Sequence, residues 1–266
     1  MNNITLSIIT IVKNGLPFIS ECIESVISCK NEDIEYIIID GKSNDGTLEL
    51  VKKYAKRDNR ISFISENDNG IADAMNKGVN LAKGEYISHI HSDDYYVKGA
   101  IEEVLCILKK EKPLWLTGSA FFINTNGERM YSTSKKRNYD YNTQLNQNII
   151  THPSTFIKKE IFLEVGGFNK NYKYAMDYDL FLKIGKYSIP FVFEKEIAAF
   201  RFHKGSLSSS NLTSAIKEEL FIALVHGSNQ KALWKMNRHI KSLIRIIIVR
   251  LRLNNFKKKI KRKFEI

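Results

Sequence analysis

Apolar residues recur along this chain in two rhythms. Between residues 4 and 96, short β-branched runs alternate with stretches whose apolar positions return every three or four places. Residues 4–12, Ile-Thr-Leu-Ser-Ile-Ile-Thr-Ile-Val, are apolar on both faces of an extended chain, the pattern of a central parallel strand. Lys13-Asn-Gly15 ends that run. Pro17 suits the first turn of a helix, and Phe18, Cys22, Ile23, Val26 and Ile27 follow at helical spacing. Further strands are predicted over Ile34–Asp40, Ile61–Ser65 and residues 86–90, and helices over Thr47–Arg57 and Ile71–Ala82. Strand and helix alternating across short loops predict a layered α/β sheet. In such sheets ligands sit at the carboxyl ends of the strands. Lys13, Asn14, Asp40, Asp68, Asp93 and Asp94 collect at those ends.

After residue 96 the rhythm changes. A helix is predicted over Val97–Glu111, and strands over 114–123 and 128–132 flank Asn126-Gly127, a hairpin signal. Residues 135–148 are polar and tyrosine-rich and read as a loop or a short helix. Thr151–Ile157 leads into a short helix near 159–164 that Gly166-Gly167 terminates. Asp177–Lys186 is helical, Pro190–Phe202 strand-like, and residues 212–226 form another helix.

Charge adds one feature. The formal net charge is +12, and residues 231–266 carry 13 Lys and Arg against one Glu, so the body is neutral and the tail holds the whole imbalance. Arg238, Arg245, Arg252 and Lys259 recur every seven residues, with Ile240, Leu243, Ile244, Ile247 and Leu251 roughly opposite. This is the pattern of a basic amphipathic helix lying on an anionic membrane, with Lys257–Lys263 adding attraction. A solvated tail, or a helix packed on the body, is the plainer reading. Nucleic-acid binding would use the same charge, but no nucleic-acid module accompanies it, and no such partner is expected. Cys22, Cys29 and Cys106 show no CxxC spacing and read as reduced thiols. Neither a signal peptide nor a spanning helix is expected. The expected location is cytoplasmic, peripheral on the inner face of the cell membrane.

Candidate chemistry centres on Gly84–Tyr96, where a strand runs out into Asp93 and Asp94. Adjacent carboxylates there are costly unless positive charge joins them. Oxygen ligands of this kind suit Mg²⁺ or Mn²⁺ bridging to a diphosphate. The alternative is a solvated turn.

Several motifs now stand in one order: residues 7–14, 39–47, 69–78, 84–94, Gly166-Gly-Phe168, Met176-Asp-Tyr-Asp179 and His203-Lys-Gly-Ser206. Together they resemble glycosyltransferase family 2, over roughly residues 4–210. The resemblance implies a GT-A fold, a Rossmann-like mixed sheet flanked by helices. Residues 1–226 would form that domain, with 1–96 the nucleotide-sugar half and 97–226 the acceptor half, and 227–266 would be the membrane-associating tail.

It also implies roles. Thr10, Val12 and Asn14 would line the nucleotide base, and Asp40 would bond it. Asp73 would face the sugar or ribose, or be an ordinary acid of a helix's first turn. His91-Ser92-Asp93 stands where the family has Asp-x-Asp. Asp93 would bind Mn²⁺ or Mg²⁺, and His91 replaces the usual first acid and would bond ribose or phosphate. His203 would be a further metal ligand or phosphate donor. Asp177 would be the base that deprotonates the acceptor hydroxyl, with Asp179 the alternative. His152, Tyr178 and Asp179 would lie on the acceptor side. The implied activity is inverting, metal-dependent transfer from a nucleotide-sugar, a UDP-sugar above all. The acceptor would be a saccharide linked to polyprenyl diphosphate, in O-antigen or capsule-type polysaccharide synthesis. A catalytically lapsed nucleotide-sugar-binding protein is the alternative, because Met176 and His91 depart from the family's acids.

Overall fold

The computed structural model describes residues 4–133, 139–203, 205–206 and 211–264, with side chains in the last helix described to residue 251. A nine-stranded mixed sheet carries the fold, in the order β3-β2-β1-β4-β8-β6-β9-β5, with β7 pairing β6. The strands are β1 (Leu6–Val12), β2 (Ile34–Asp40), β3 (Ile61–Ser65), β4 (Tyr86–His89), β5 (Tyr95–Tyr96), β6 (Trp115–Ile123), β7 (Arg129–Ser132), β8 (Thr155–Lys158) and β9 (Phe191–Arg201). The parallel strands β1 to β4 form one half. β8 then runs antiparallel to both β4 and β6, joining the halves.

The helices are α1 (Ile19–Ile27), α2 (Thr47–Arg57), α3 (Ile71–Leu81), α4 (Ala100–Glu111), α5 (Tyr141–Asn146), α6 (Lys159–Glu164), α7 (Met176–Gly185), α8 (Leu212–His226) and α9 (Ala232–Phe264). They cover both faces of the sheet. Leu6, Ile8 and Val12 of β1 join a core with α1, α2 and α4, whereas Ile9 joins one with α3, α6 and α7. This is why the β1 run has no polar face. Gly78 lets α3 lie on β1, since a Cβ there would stand 2.4 Å from Ile9 Cγ2.

Several sequence expectations are corrected. α1 begins at Ile19, so Pro17 precedes it, in a cis peptide with Leu16. α4 starts at Ala100 rather than Val97. The two-residue β5, paired with β9, was not legible, nor was β8, which follows a single 3-10 turn over His152–Ser154. Within 135–148, residues 135–138 lie outside the described residues, and Tyr141–Asn146 is helical, capped by Asp140, whose side chain accepts from Thr143 N–H.

The tail helix is orientated in an unexpected way. Arg238 is buried and its Nη1 donates to the Asn146 carbonyl at 2.7 Å. Arg245 Nη1 meets Glu219 of α8 at 2.6 Å, and Trp234 Nε1 donates to Asn146 Oδ1. The arginine rung therefore faces the body. Leu233, Met236, Ile240, Leu243, Ile244, Ile247 and Leu251 are exposed on the outside. The side chains of Arg252, Lys259 and the Lys257–Lys263 cluster lie outside the described residues. Among those described, no helix is long and apolar enough to cross a membrane.

Candidate active site

One cleft of about 760 Å³ opens at the carboxyl ends of β1 and β4. Val12, Lys13 and Asn14 from the end of β1, Gly41 after β2 and Asp68 before α3 form part of its wall. His91 to Asp94 after β4, His152, Asp177 at the start of α7, Phe200 of β9 and His203 complete it. The chain enters this rim under tight restraint. Asn14 takes a left-handed conformation, φ 55°, which asparagine tolerates. Its N–H donates to Ser43 Oγ at 2.8 Å, and its Oδ1 accepts from Asn44 N–H at 2.9 Å. The ends of β1 and β2 are thereby sewn together.

Asp93 and His203 come from segments 110 residues apart and meet in the cleft, Nε2 to Oδ2 at 2.8 Å. One carboxylate and one imidazole at a single point are donors that would suit a divalent cation. Among the described residues no third His, Cys, Asp or Glu joins them. Behind Asp93, Asp94 is buried, and that burial, with the Asp93 charge, holds its carboxyl well above the usual range. Its Oδ1 accepts from Arg201 N–H at 2.8 Å.

Arg201 itself was missed as a site residue. Its guanidinium is buried beneath the Asp93–Asp94 loop, where Nε donates to the Asp93 carbonyl at 3.0 Å and Nη2 pairs with Glu21. It also lies over the Phe18 ring at 4.6 Å. The signal was present in Arg201-Phe-His203, two residues before the histidine.

Asp177 sits at the first turn of α7, where its Oδ1 accepts from Tyr178 N–H at 2.8 Å. Burial at the cleft wall, with the Glu219 and Glu218 charges nearby, pushes its carboxyl up to about 6. A base with that affinity for a proton is matched to work near neutrality. The segment just before it is fixed by Glu218 of α8, whose carboxylate accepts from the backbone N–H groups of Lys173, Tyr174 and Ala175 at 2.7–3.0 Å. Lys173 and Tyr174 line the cleft, so α8 shapes it from outside.

Three histidines cluster beside the cleft. His91 and His152 ring centroids are 5.4 Å apart, and His89 and His152 are 5.8 Å apart. Burial lowers His91, drives His152 well below the imidazole range, and pushes His89 down to about 3. They are therefore neutral at pH 7. His152 Nε2 is enclosed without a hydrogen-bond partner among the described residues.

The other expected site residues are placed off the cleft wall. Thr10 is buried two residues deeper in β1 and accepts from Tyr36 Oη at 2.9 Å. Asp40 is buried with its carboxylate bonded to Ser43 N–H and Ser65 Oγ. Asp73 pairs with Lys170 at 2.6 Å, which with the Asn69 N–H holds it down at about 2. Tyr178 is fully buried, its hydroxyl donating to the Leu145 carbonyl. Asp179 is buried on the far side of α7, bonded to His226 at 2.8 Å and paired with Lys183 at 2.8 Å. Burial opposes its charge, but those two partners win and hold its carboxyl below the usual range. Positions 177 and 179 are about 200° apart round a helix, so they cannot share one wall. Asp68, one of the acids expected at the strand ends but given no role there, lines the cleft and pairs with Lys77 at 2.7 Å.

The sequence model of the family described as Glycosyl transferase family 2 matches residues 7–166. The chain belongs to that family. It is 29% identical to the chondroitin synthase of Escherichia coli over 211 residues, 78% of this chain and 30% of that protein. It is 35% identical to the uncharacterized glycosyltransferase EpsJ of Bacillus subtilis over 126 residues, 47% of this chain and 36% of that one. The chain thus spans about a third of these relatives. Of a Haemophilus influenzae glycosyltransferase it spans 86%, at 28% identity over 219 residues. Staphylococcus aureus TarS in complex with UDP-GlcNAc superposes with a TM-score of 0.67 at 17% identity, covering 91% of this chain and 71% of that one. A mannosyltransferase from Pyrobaculum calidifontis, in complex with GDP-Man and Mn²⁺, gives 0.60 at 15% identity, covering 95% and 79%. These likenesses establish the GT-A architecture. Sequence thus places the chain in family 2, and the superpositions give it the fold of these transferases.

Proposed function

We propose that this family 2 glycosyltransferase inverts the anomeric centre of a UDP-sugar as it passes the sugar to a saccharide hydroxyl. The observation that carries the reading is Asp177, with its proton affinity raised to about 6, in one cleft with the Asp93–His203 pair. Asp177 takes the proton of the acceptor hydroxyl. The hydroxyl oxygen forms its bond to the anomeric carbon from the face opposite the leaving group. The bond from that carbon to the diphosphate oxygen breaks, and the electron pair leaves with UDP. Asp93 and His203 would hold Mn²⁺ or Mg²⁺, which when bound neutralises charge on the departing diphosphate. Val12 and Asn14 would border the nucleotide, with Thr10, Asp40 and Asp73 supporting that wall from behind. His91, Ser92 and the neutral His152 would bond sugar hydroxyls without bringing charge to them.

The donor reading draws on the UDP-GlcNAc complex of TarS, and the metal on the Mn²⁺ complex of the mannosyltransferase. The acceptor we favour is a saccharide on polyprenyl diphosphate, in O-antigen or capsule-type synthesis. Residues 231–266 would hold the enzyme on the inner, anionic face of the membrane. Support comes from the outward apolar stripe of α9 and the 13 basic residues of that segment. Two copies pairing through the stripe would set like charge on like charge, whereas anionic lipid neutralises it.

The test is nucleotide release from a panel of UDP-, GDP- and dTDP-sugars, with Mn²⁺ or EDTA, and with a lipid-diphosphate-GlcNAc acceptor present or absent. Release from one UDP-sugar, raised by acceptor and lost in EDTA and in Asp177→Asn, is expected. Release that survives Asp177→Asn would overturn the assignment of the base.

A further inference from the structure

A row of aromatic rings crosses the sheet from its exposed margin into the cleft. Tyr131 of β7 pairs in register with Phe122 of β6, and Phe122 pairs in register with Phe200 of β9. Register partners on neighbouring strands share a face. The Tyr131 and Phe122 rings stack, with centroids 4.4 Å apart and planes 18° apart. Phe122 and Phe200 follow at 5.2 Å, tilted by 52°. Phe200 lines the same cleft as Asp177, Asp93 and His203.

Cross-strand aromatic pairs do stabilise sheets, and that accounts for Phe122. It does not account for the outer end. Tyr131 is 55% exposed and nothing described covers it. An exposed apolar surface continuous with a binding cleft marks a place where a ligand lies. A pyranose ring has an apolar C–H face and polar edges, so it lies flat on an aromatic ring while its hydroxyls stay in water. Three rungs span two strand spacings, about 10 Å, room for a short run of sugar rings.

We infer that the Tyr131–Phe122–Phe200 row is an acceptor subsite. It takes the saccharide units beyond the one whose hydroxyl reacts, and sets the enzyme's preference for acceptor length. This rests on the transferase reading of the cleft. The occupant is a saccharide rather than a bilayer, because the row is continuous with the cleft and lies on the strands, apart from the apolar stripe of α9.

The test uses the full chain and an immobilised set of defined oligosaccharides from mono- to hexasaccharide, chondroitin and hyaluronan fragments and N-acetylglucosamine oligomers among them. Binding is read on wild type, Tyr131→Ala, Tyr131→Trp and Met130→Ala. Met130, next along β7, is 53% exposed at the register shift against β6 and is not one of the three rings, so it serves as the control. Wild type is expected to bind longer saccharides more tightly than monosaccharides, Tyr131→Ala to lose that gain by roughly tenfold, and Tyr131→Trp to keep it. Met130→Ala is expected to match wild type. UDP binding with Mn²⁺ on the same samples reports the donor cleft, so failure of the transferase reading is seen separately. Equal binding at every length, or no binding, overturns the subsite, as does length preference that survives Tyr131→Ala. So does a Tyr131→Ala variant whose only loss is adhesion to vesicles of anionic lipid.

Discussion

Replacing Asp177 with asparagine should stabilise the protein while it removes turnover. Burial raises the Asp177 carboxyl from 3.8 to about 6. A carboxyl raised on folding is the reverse of the usual paired case. Its stabilising contribution is full below the unfolded value near 4, where the group is neutral in both states, and is lost as pH rises towards 6. Above 6 the folded protein carries the whole cost of a poorly solvated charge, about 2 pH units at 1.36 kcal/mol each, so at most about 3 kcal/mol. Asparagine keeps an oxygen for the Tyr178 N–H and carries no charge, so it relieves that cost at pH 7.5. At pH 5 the linkage integral falls to about half, near 1.5 kcal/mol. Thermal melts of both proteins at the two pH values measure it. In a chain of this size each kcal/mol moves the midpoint by about 2–4 °C, so several degrees are expected at pH 7.5 and about half as many at pH 5. Loss of the base should lower kcat by about 10² to 10⁴, and wild-type kcat should rise with pH through about 6. A variant destabilised to the same extent at both pH values would refute the reasoning, since the effect would then owe nothing to charge.

Three further outcomes follow from the same contacts. Arg201→Met leaves Glu21 and the Asp93 carbonyl without the guanidinium, so a loss of roughly 1–3 kcal/mol in urea unfolding is expected, with weaker Mn²⁺-dependent UDP binding; unchanged UDP affinity would remove Arg201 from the support of Asp93. Glu218→Ala frees three N–H groups ahead of Asp177, so kcat should fall at least tenfold with donor affinity unchanged, and Glu218→Gln should recover part of it. Leu243→Asp with Ile247→Asp should abolish sedimentation with anionic vesicles and leave turnover of a water-soluble acceptor intact, because both side chains point away from the body.

How much of this was legible from residues alone depended on period and reach. The strands β1 to β3 and the helices α2, α6 and α8 fall where their runs predict, because each run is long or sharply bounded. β5 is two residues with no period to detect, and it exists only because β9 passes alongside. In the site, Asp93, His203, His152 and Asp177, each at the end of a run, line one cleft. Thr10 failed because a residue two positions back along a strand sits about 6–7 Å deeper. Tyr178 and Asp179 were misplaced by ignoring the 100° step of a helix, which the sequence itself carries. Arg201 and Glu218 act through partners 100 or more and about 45 residues distant, and only folding brings those together. The heptad of arginines on α9 was seen correctly as one face, but its direction was not, because Asn146 and Glu219 decide it.

That direction inverts the ordinary rule of substitution. On most helices the outer positions accept nearly any polar side chain and the inner ones demand apolar fit. On α9 the inward rung is cationic, and Lys should replace Arg238 poorly because a single ammonium lacks the guanidinium's forked reach. The outward stripe should behave as a core would, with Leu, Ile, Met and Val interchangeable at 240, 243 and 247 and acids excluded. In a saturation library selected for surface-polysaccharide output, those solvent-facing positions would be among the least permissive in the protein. The same library screened for soluble expression would favour their polar replacements, so opposed rankings from the two selections would trace the stripe residue by residue.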